Sequence, residues 1–498
     1  RRADAHGDDH DANQTSGGSS SSGPPDEPPM TFVLILLLSS ILHASAAGAD
    51  SRPGSPRPNV VLIMTDDQGW ADAGYMGHPV LRTPHLDEMA RGGIRFERFY
   101  AAAPVCSPTR GSVLTGRHPF RYGITNANVG HLPEDEQTIA EILREHGYRT
   151  GHFGKWHLGT LTTVVRDGNR GGPRAAEHDA PPWKHGFDVC FSTEAKVPTA
   201  HPMITPTTIE FGGANGTTPG DRYGTAYWTG PDTRVDDNLD GDDARVIMDR
   251  VIPFIDDAVS HEAPFLAVIW FHSPHLPVVA EDADRAPYAL LDEYAQHYFG
   301  CLTAMDEQVG RLRARLRALG IADDTIVWFC SDNGPEGQAR TAPGSAGPLR
   351  GRKRSLYEGG VRVPGLLEWP ARFPEPRVIA APAVTSDILP TVLHALDIDG
   401  APTPLDGIDL MPLLEGTTRE RHSPIGFRSG KQATWVADRY KLVVTTTNQG
   451  DRVELFDLVA DPSEQTDLAA LHPDLVTRLH QDLDAWIAAC DDDRDEHP

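Results

Sequence analysis

Three segments of the chain, residues 60–64, 264–271 and 325–330, are continuous runs dominated by apolar side chains. An apolar run of this length without alternation is typical of a parallel strand that is buried on both faces of a sheet. Helical patterns lie between the runs, including residues 137–146 and the amphipathic, Arg-rich residues 294–319. Strands that alternate with helices predict an α/β fold with a parallel sheet.

Each apolar run ends in polar side chains that can take part in chemistry. The runs lead, in chain order, into Thr65-Asp66-Asp67, His272-Ser273-Pro274-His275 and Ser331-Asp332-Asn333-Gly334. In an open parallel sheet, ligands bind beyond the carboxyl ends of the strands. The three polar segments therefore predict one shared site at that edge of the sheet.

The C-terminal part of the chain has a different pattern. Residues 435–438, 441–444 and 453–458 are short strand-like segments separated by turn residues, and residues 474–489 have an amphipathic helical pattern. We expect a small antiparallel sheet with one helix in a C-terminal α+β subdomain, residues 422–498. It would follow a catalytic α/β domain, residues 58–421.

The N-terminal part carries a candidate export signal. Residues 1–29 are rich in Gly, Ser, Pro and Asp, which is typical of a disordered leader or of an over-extended gene model. Residues 30–49 are interpreted as a signal peptide, because a short apolar run precedes small residues that suit signal peptidase. The run is shorter than the roughly 20 apolar residues of a membrane span, so no stable membrane insertion is expected after cleavage. No Lys or Arg separates Met30 from the run, so a membrane anchor or a chance apolar stretch stays an alternative.

An exported location would be periplasmic or extracellular in a bacterium, and secretory or lysosomal in a eukaryote.

The chain has 71 acidic and 45 basic side chains and a formal charge of -26. That charge argues against a nucleic-acid partner, which requires basic patches. It would also repel an anionic substrate, so basic residues must be concentrated where such a substrate binds.

The five cysteines show no metal-ligand spacing and are too few for a disulfide scaffold. Their odd number leaves at least one without an intramolecular partner, and Cys106 is the candidate.

Ser107-Pro108 after Cys106 is typical of a helix start and Gly116 of a helix end, so we expect Ser107 to cap a helix that begins just after Cys106. The N-terminus of a helix favours anions. Arg110, one turn on, can hold an oxyanion or the nucleophile. From the residues alone, Cys106 is either a half-buried structural cysteine or a thiolate nucleophile.

Two oxygen-rich pairs suit a hard cation. Asp66-Asp67 and Asp332-Asn333 each follow an apolar strand, and such cations take carboxylate and amide oxygens as ligands. Either pair alone is equally typical of a turn. Because both lie at the predicted strand ends, together they favour a metal site.

Three more segments contain candidate polar residues. Lys155 and His157 lie two positions apart in Gly154-Lys155-Trp156-His157-Leu158-Gly159, a spacing that usually indicates a surface strand. His275 lies in a Pro-His-x-Pro pattern and is favoured over its neighbour His272. Four basic side chains, Arg350, Arg352, Lys353 and Arg354, occur within five positions. On their own they indicate a solvated loop or a polyanion-binding patch.

The segment Cys106-Ser107-Pro108-Thr109-Arg110, with the tail that ends Thr115-Gly116, resembles the signature of the type I sulfatases. These enzymes belong to the alkaline-phosphatase-like superfamily. Thr109 stands where many members have Ser. The similarity extends from about Pro58 to Leu468 and includes the motifs above in the family's order. It implies a large mixed, mostly parallel sheet sandwiched by helices, with a small C-terminal antiparallel sheet and helix.

The resemblance also implies a role for each candidate residue. Cys106 matches the cysteine that a separate maturation enzyme oxidises to Cα-formylglycine. The matches to the ligands of one calcium ion are Asp66, Asp67, Asp332 and Asn333. The matches to residues that contact the nucleophile, the sulfate or the leaving group are Arg110, Lys155, His157, His275 and Lys353. Of these, His157 would help to break down a sulfated intermediate, and His275 or Lys353 would protonate the departing alcohol.

The implied activity is hydrolysis of sulfate monoesters, by analogy those of sulfated carbohydrates, through a formylglycine hydrate and a sulfo-enzyme intermediate. The three arginines near Lys353 would supply the local positive field that the acidic surface lacks. Two alternatives stay open. One is a phosphonate or phosphate monoester hydrolase of the same superfamily, because the anions are nearly isosteric. The other is a non-catalytic protein that binds sulfated glycans.

Overall fold

The computed structural model describes residues 57–207 and 218–496. The predicted leader, residues 1–29, and the predicted signal peptide, residues 30–49, lie outside the described residues. The strands are β1 (Asn59–Thr65), β2 (Ile94–Phe96), β3 (Phe99–Tyr100), β4 (Arg149–Lys155), β5 (Val189–Thr193), β6 (Tyr227–Gly230), β7 (Thr233–Arg234), β8 (Phe265–Trp270), β9 (Thr325–Ser331), β10 (Arg362–Val363), β11 (Gly365–Glu368), β12 (Arg377–Ile379), β13 (Ala383–Val384), β14 (Ile425–Ser429), β15 (Gln432–Ala437), β16 (Tyr440–Thr447) and β17 (Gly450–Asp457). The α-helices are α1 (Pro84–Gly92), α2 (Cys106–Thr115), α3 (Ile139–Glu145), α4 (Asp243–Ser260), α5 (Asp282–Arg285), α6 (Glu293–Ala318), α7 (Glu358–Val361), α8 (Ile388–Ala395), α9 (Met411–Glu415) and α10 (Pro473–Glu496).

A ten-stranded sheet forms the centre of the fold, in the order β12-β2-β11-β9-β1-β8-β4-β5-β6-β7. Its central strands β9, β1, β8, β4 and β5 are parallel to one another. Antiparallel pairing occurs where β11 joins β9 and β2, and where β6 joins β5 and β7. The prediction of a large mixed, mostly parallel sheet is confirmed.

Strand β1 shows why the apolar runs are continuous. Val60, Leu62 and Met64 belong to one buried cluster, whereas Val61 and Ile63 belong to another. Successive side chains of a strand point to opposite faces, so both faces of β1 are covered. The first cluster includes residues of α2, α3 and α8, and the second includes residues of α4 and α6. The sheet is therefore sandwiched by helices.

A second sheet of four antiparallel strands, β14-β15-β16-β17, forms the C-terminal part. Three of its strands match predicted segments, while β14 was missed because Pro424 and Gly426 interrupt its apolar pattern. One face packs on residues of the larger part, and the other packs against α10, which extends seven residues beyond the predicted end at 489. Within the described part of the chain, every helix is too short or too polar to cross a membrane.

Candidate active site

The sheet brings the predicted site residues to one edge. Asp66 and Asp67 follow β1, Lys155 is the last residue of β4, and Asp332 follows β9. His275 lies in the loop after β8. Because these strands are parallel, their carboxyl ends lie side by side.

Helix α2 brings residue 106 to the same place. Cys106 is its first residue, and Gly116 ends it in the left-handed conformation with φ of 69°. The predicted cap is wrong by two residues: Val105, not Ser107, is the N-cap, and the buried Ser107 hydroxyl has no hydrogen-bond partner among the described residues. The helix therefore begins at Cys106 itself, one residue earlier than predicted. Pro108 then falls in the first turn, where a missing N–H costs nothing.

Cys106 is buried in the structure, and its thiol is the unmodified form of the side chain. Its Sγ lies 3.6 Å from Oδ1 of Asp66. Burial raises the pKa of Cys106 to about 12, although Lys155 and Lys353 act in the opposite direction. Burial therefore opposes formation of a thiolate at this position. All five cysteines are free and buried.

Arg110 connects three parts of the site. Its side chain is fully buried, and its Nη2 lies 2.7 Å from Oδ2 of Asp332. Its Nη1 donates to the backbone carbonyl of Lys155 at 2.9 Å. The guanidinium also lies 5.2 Å from the ring centroid of Trp270. This side chain is held on several sides and fixes the spacing between α2, β4 and β9.

Lys155 and Asp66 form a buried ion pair. The Nζ of Lys155 lies 2.6 Å from Oδ2 of Asp66, and both side chains are at most 1 % exposed. Burial alone would raise the pKa of Asp66, but Lys155 and the other nearby positive charges lower it well below its usual range. Asp66 is therefore a carboxylate. By contrast, burial and the negative charge of Asp66 raise the pKa of Asp332 to about 7.

Lys353 forms the matching contact with Asp67. Its Nζ lies 2.5 Å and 2.7 Å from the two carboxylate oxygens of Asp67, and Nδ2 of Asn333 donates to Oδ1 of Asp67 at 2.7 Å. The negative charge of Asp67 raises the pKa of Lys353 although burial opposes it. Asp67 has a φ of 69°, an uncommon value for a residue with a side chain. Its backbone N–H donates to Asp332 at 3.0 Å, which helps to hold that conformation.

The two histidines after β8 have different surroundings. Nε2 of His275 lies 3.6 Å from Oδ2 of Asp67, inside the cluster. His272 instead lies between Asp243, 2.7 Å from its Nδ1, and the Thr193 hydroxyl, 2.8 Å from its Nε2. His272 therefore belongs to a supporting network, and His275 is the histidine that faces the cluster.

His157 lies at the edge of the cluster, and its ring has a defined tautomer. Nε2 lies 2.8 Å from Oδ1 of Asn128, which also accepts from Nδ2 of Asn169 at 2.9 Å. A carbonyl oxygen only accepts, so Nε2 carries the proton. The buried Nδ1, which has no hydrogen-bond partner among residues 57–207 and 218–496, can accept a proton. Burial lowers the pKa of His157 well below its usual value. Asn128 was missed from the sequence because no motif marks it.

The donor set fits a cation. Ligand atoms of Asp66, Asp67, Cys106 and His275 all lie within 4.8 Å of one another. Asn333 contributes a buried Oδ1 that accepts no hydrogen bond from the part of the chain that the structure describes. Oxygen donors predominate, as hard cations prefer. The oxygens of the fourth predicted ligand, Asp332, contact Arg110 and the backbone of Asp67.

The arginines around Lys353 are occupied by local contacts. Arg350 stacks 3.7 Å from the ring centroid of Tyr357. Arg352 donates to two backbone carbonyls at 2.8 Å, and Arg354 pairs with Glu336 at 2.7 Å. The three arginines were expected to offer free positive charge to a substrate. Their side chains instead make local contacts that hold the loop in shape. A different cation, Lys196, interacts electrostatically with the site and was missed because it lies outside every motif.

Comparisons with known proteins agree on one family. A sequence profile of the Sulfatase family matches residues 58–398, and a profile described as N-sulphoglucosamine sulphohydrolase, C-terminal, matches residues 351–489. Human Arylsulfatase A is 35 % identical over 404 residues, which cover 78 % of this chain and 73 % of the relative. The chain belongs to the sulfatase family.

Two further matches support this family. The dog N-acetylgalactosamine-6-sulfatase is 31 % identical over 405 residues, covering 76 % of this sulfatase and 69 % of the relative. The solved structure of Ps i-CgsB in complex with k-i-k-neocarrahexaose superposes with a TM-score of 0.72 and 28 % identity, over 86 % of this chain and 92 % of that one. The sulfatase is accordingly a sulfuric ester hydrolase with the alkaline-phosphatase-like fold.

Proposed function

We propose that this sulfatase hydrolyses sulfate monoesters of carbohydrates, using an aldehyde made from Cys106 and one bound calcium ion. The observation that carries the proposal is the position of Cys106. It starts a buried helix, contacts Asp66, and lies in the electrostatic field of Lys155 and Lys353. An anion that reaches residue 106 meets two ammonium groups, which favour a sulfate ester.

The metal would be held by Asp66, Asp67, Asp332 and Asn333. A bound dication would supply Lewis acidity for a sulfate oxygen and would orient the nucleophile. The crowding of carboxylates supports a cation there, since burial and the charge of Asp66 together raise the pKa of Asp332 to about 7. Calcium suits these four residues better than zinc, because all four offer oxygen ligands. The nearby sulfur of residue 106, which zinc would favour, is replaced by oxygen in the aldehyde.

Oxidised to Cα-formylglycine, residue 106 would supply a hydrated aldehyde whose two hydroxyls allow attack on sulfur and later expulsion of sulfate. Lys155 and Lys353 would bind the sulfate oxygens. Arg110 would hold Asp332 and the end of β4 in place, through the contacts at 2.7 and 2.9 Å. These groups are already oriented before substrate binds, which is how electrostatic stabilisation is most effective.

The proton-transfer roles follow from the tautomers. Nδ1 of His157 is unprotonated and buried, so it would accept a proton from the nucleophile. Nδ1 of His275 lies 2.6 Å from the carbonyl of Leu276, which makes Nε2 the free nitrogen. Burial lowers the pKa of His275 to about 3, so neutral His275 has no proton on Nε2 to give. We therefore assign protonation of the departing alcohol to Lys353.

Carbohydrate esters are proposed from the relatives. One relative is named for N-acetylgalactosamine 6-sulfate chemistry, and one solved structure holds a neocarrahexaose. The test is a panel of sulfated mono- and oligosaccharides with matched phosphate esters, measuring release of inorganic sulfate or phosphate. Release of sulfate from a sugar ester supports the proposal. Faster turnover of the phosphate esters would favour a phosphohydrolase, and binding without release would favour a glycan-binding protein.

Export is proposed from the apolar run of residues 31–42 and the small residues that follow it. Expression of the full chain, followed by N-terminal sequencing of the exported protein, tests it. A mature N-terminus between residues 43 and 57 supports a cleaved signal. Retention of the run in an anchored protein would contradict it.

A further inference from the structure

The segment after β5 connects the two histidine loops of the site. The backbone N–H of His157 donates to the carbonyl of Glu194 at 3.1 Å. Further on, the N–H of Thr199 donates to the carbonyl of Pro277, two residues after His275. Lys196 lies between these two anchor points, so its backbone is held next to the candidate active site.

Lys196 differs from the other cations at the site. Lys155 pairs with Asp66, Lys353 with Asp67, and Arg110 with Asp332. Among the described residues, Lys196 has no hydrogen bond, ion pair or aromatic partner. Burial and the positive charges of Lys155 and Lys353 lower its pKa, while the two aspartates act against this. A half-buried ammonium without a counterion is unfavourable unless a ligand supplies one.

The depth of Lys196 indicates which part of a ligand it meets. Arg110 and Lys155 are fully buried beside Cys106, where the sulfur of an ester would lie. Lys196 is only half-buried, so part of its side chain remains accessible to solvent. Each of the three carboxylates at the bottom is paired with Arg110, Lys155 or Lys353, whereas Lys196 is paired with none of them. The alcohol part of the ester, which leaves toward solvent, is the part it can reach.

We propose that Lys196 binds a second anionic group, a carboxylate or a further sulfate, on the alcohol part of the substrate. This inference rests on the proposed function and refines it, because it makes polyanionic sugars the preferred substrate class. Lys196 would act in specificity, through an ion pair that a neutral sugar ester does not form.

The test compares Lys196→Met with Lys196→Arg and with the control Lys184→Met. Lys184 is exposed and already pairs with Glu134 and Asp179. The probes are a 6-sulfated disaccharide with a uronic acid carboxylate, the methyl ester of the same compound, and a disulfated disaccharide without a carboxylate. For each variant the measured quantity is the ratio of kcat/KM on an anionic probe to that on the methyl ester.

We expect Lys196→Met to lower this ratio by about tenfold to a hundredfold, mainly through KM, since a charged hydrogen bond is lost. Lys196→Arg should keep most of the preference, and Lys184→Met should leave it unchanged. If the ratio falls only for the carboxylate probe, Lys196 binds a carboxylate. If it falls only for the disulfated probe, Lys196 binds a second sulfate. An equal loss of kcat on all three probes would overturn the inference, because Lys196 would then act on the scissile sulfate. Failure of the unchanged enzyme to release sulfate from any probe would instead contradict the proposed function.

Discussion

The carboxylates Asp66 and Asp67 are neighbours in sequence but have separate partners. Asp66 contacts Cys106 and Lys155, whereas Asp67 contacts Lys353 and Asn333. The left-handed backbone of Asp67 turns the two side chains into different surroundings. Strained backbone of this kind is found at functional sites, where the surrounding structure holds it. Because the two aspartates have separate partners, a substitution at one of them should leave the contacts of the other in place.

Lys353 and its neighbouring arginines should respond differently to substitution. Lys353→Met should lower kcat by about a thousandfold, because it removes a group that contacts the sulfate and the leaving oxygen. Arg354→Met should change kcat by less than about threefold, because its side chain is 63 % exposed and, among the described residues, forms an ion pair with Glu336 alone. Steady-state kinetics on a sulfated sugar checks both. Equal losses would mean a diffuse electrostatic patch and would contradict the assignment.

Arg352→Met should act on stability instead. Its guanidinium donates to the carbonyls of Glu336 and Gly344, which are in the loop that carries Lys353. Losing both bonds should destabilise the fold by about 1–3 kcal/mol, with kcat of the folded fraction largely retained. Urea unfolding and active-site titration separate the two effects. A variant of unchanged stability and much reduced kcat would contradict this role.

Removal of the metal should affect both activity and stability. Exhaustive chelation should abolish turnover, and calcium should restore it better than zinc. Calcium at a hundred times its Kd should also stabilise the fold by about 2.7 kcal/mol, seen as a rise in the thermal midpoint. Asp67→Asn should reduce this rise, while Asp188→Asn, at an exposed position just before β5, should not. Full activity after chelation, or the same rise in Asp67→Asn, would contradict the metal site.

At the scale of elements, the close contact between β4 and β8 fixes the position of Lys155. Gly154 has a φ of 104°, and a Cβ at this position would lie 2.0 Å from the carbonyl oxygen of Trp270. Gly154→Ala should therefore destabilise the protein by about 2 kcal/mol or more. Gly92→Ala is the control, because a Cβ there meets no atom within 4 Å. Chemical denaturation measures both, and equal stability of the two variants would contradict the account.

The strands differ in how far their sequence predicted them. The runs that became β1, β8 and β9 were recognisable because both of their faces are apolar. Strand β4 was not, since its sequence contains Gly151 and the polar His152, which is buried with its Nδ1 2.7 Å from the Ser192 hydroxyl. The short strands β2, β3 and β10 to β13 have two to four residues and show no periodicity.

The same limit applies to the site. The ends of the apolar strands could be recognised in the sequence, and so could the residues that follow them, Asp66, Asp67, Asp332 and Asn333. The family resemblance assigned roles to Cys106, Arg110 and Lys353, which lie on a helix or in a loop. Asn128, which sets the tautomer of His157, and Lys196 lie in loops whose positions depend on tertiary contacts. Residues of this kind can be identified only from the folded structure, which shows that they lie next to the site.

At the scale of the whole molecule, a buried ion cluster joins the C-terminal sheet to the larger part. Lys441 of β16 lies 2.9 Å from Glu358 and 3.0 Å from Glu464, with all three side chains fully buried. Lys441→Met would remove the cation that both carboxylates share, leaving Glu358 with Arg362 at 3.5 Å, and breaking such a buried pair costs about 3–5 kcal/mol. Lys431→Met, at an exposed position of the same sheet, is the control. Equilibrium unfolding should show a large loss for the first variant only, and equal curves would contradict a shared core.

The central claim is that residue 106 acts as an aldehyde. The most direct measurement is mass spectrometry of the peptide that contains Cys106, alongside turnover, for protein expressed with and without a formylglycine-generating maturation enzyme. A sulfated thiol has no second hydroxyl to expel sulfate, so unmodified protein should be folded but nearly inactive. Specific activity should rise in proportion to the aldehyde fraction, and Cys106→Ala should be inactive in both hosts. Full multiple turnover by protein whose residue 106 is still a thiol would contradict the mechanism.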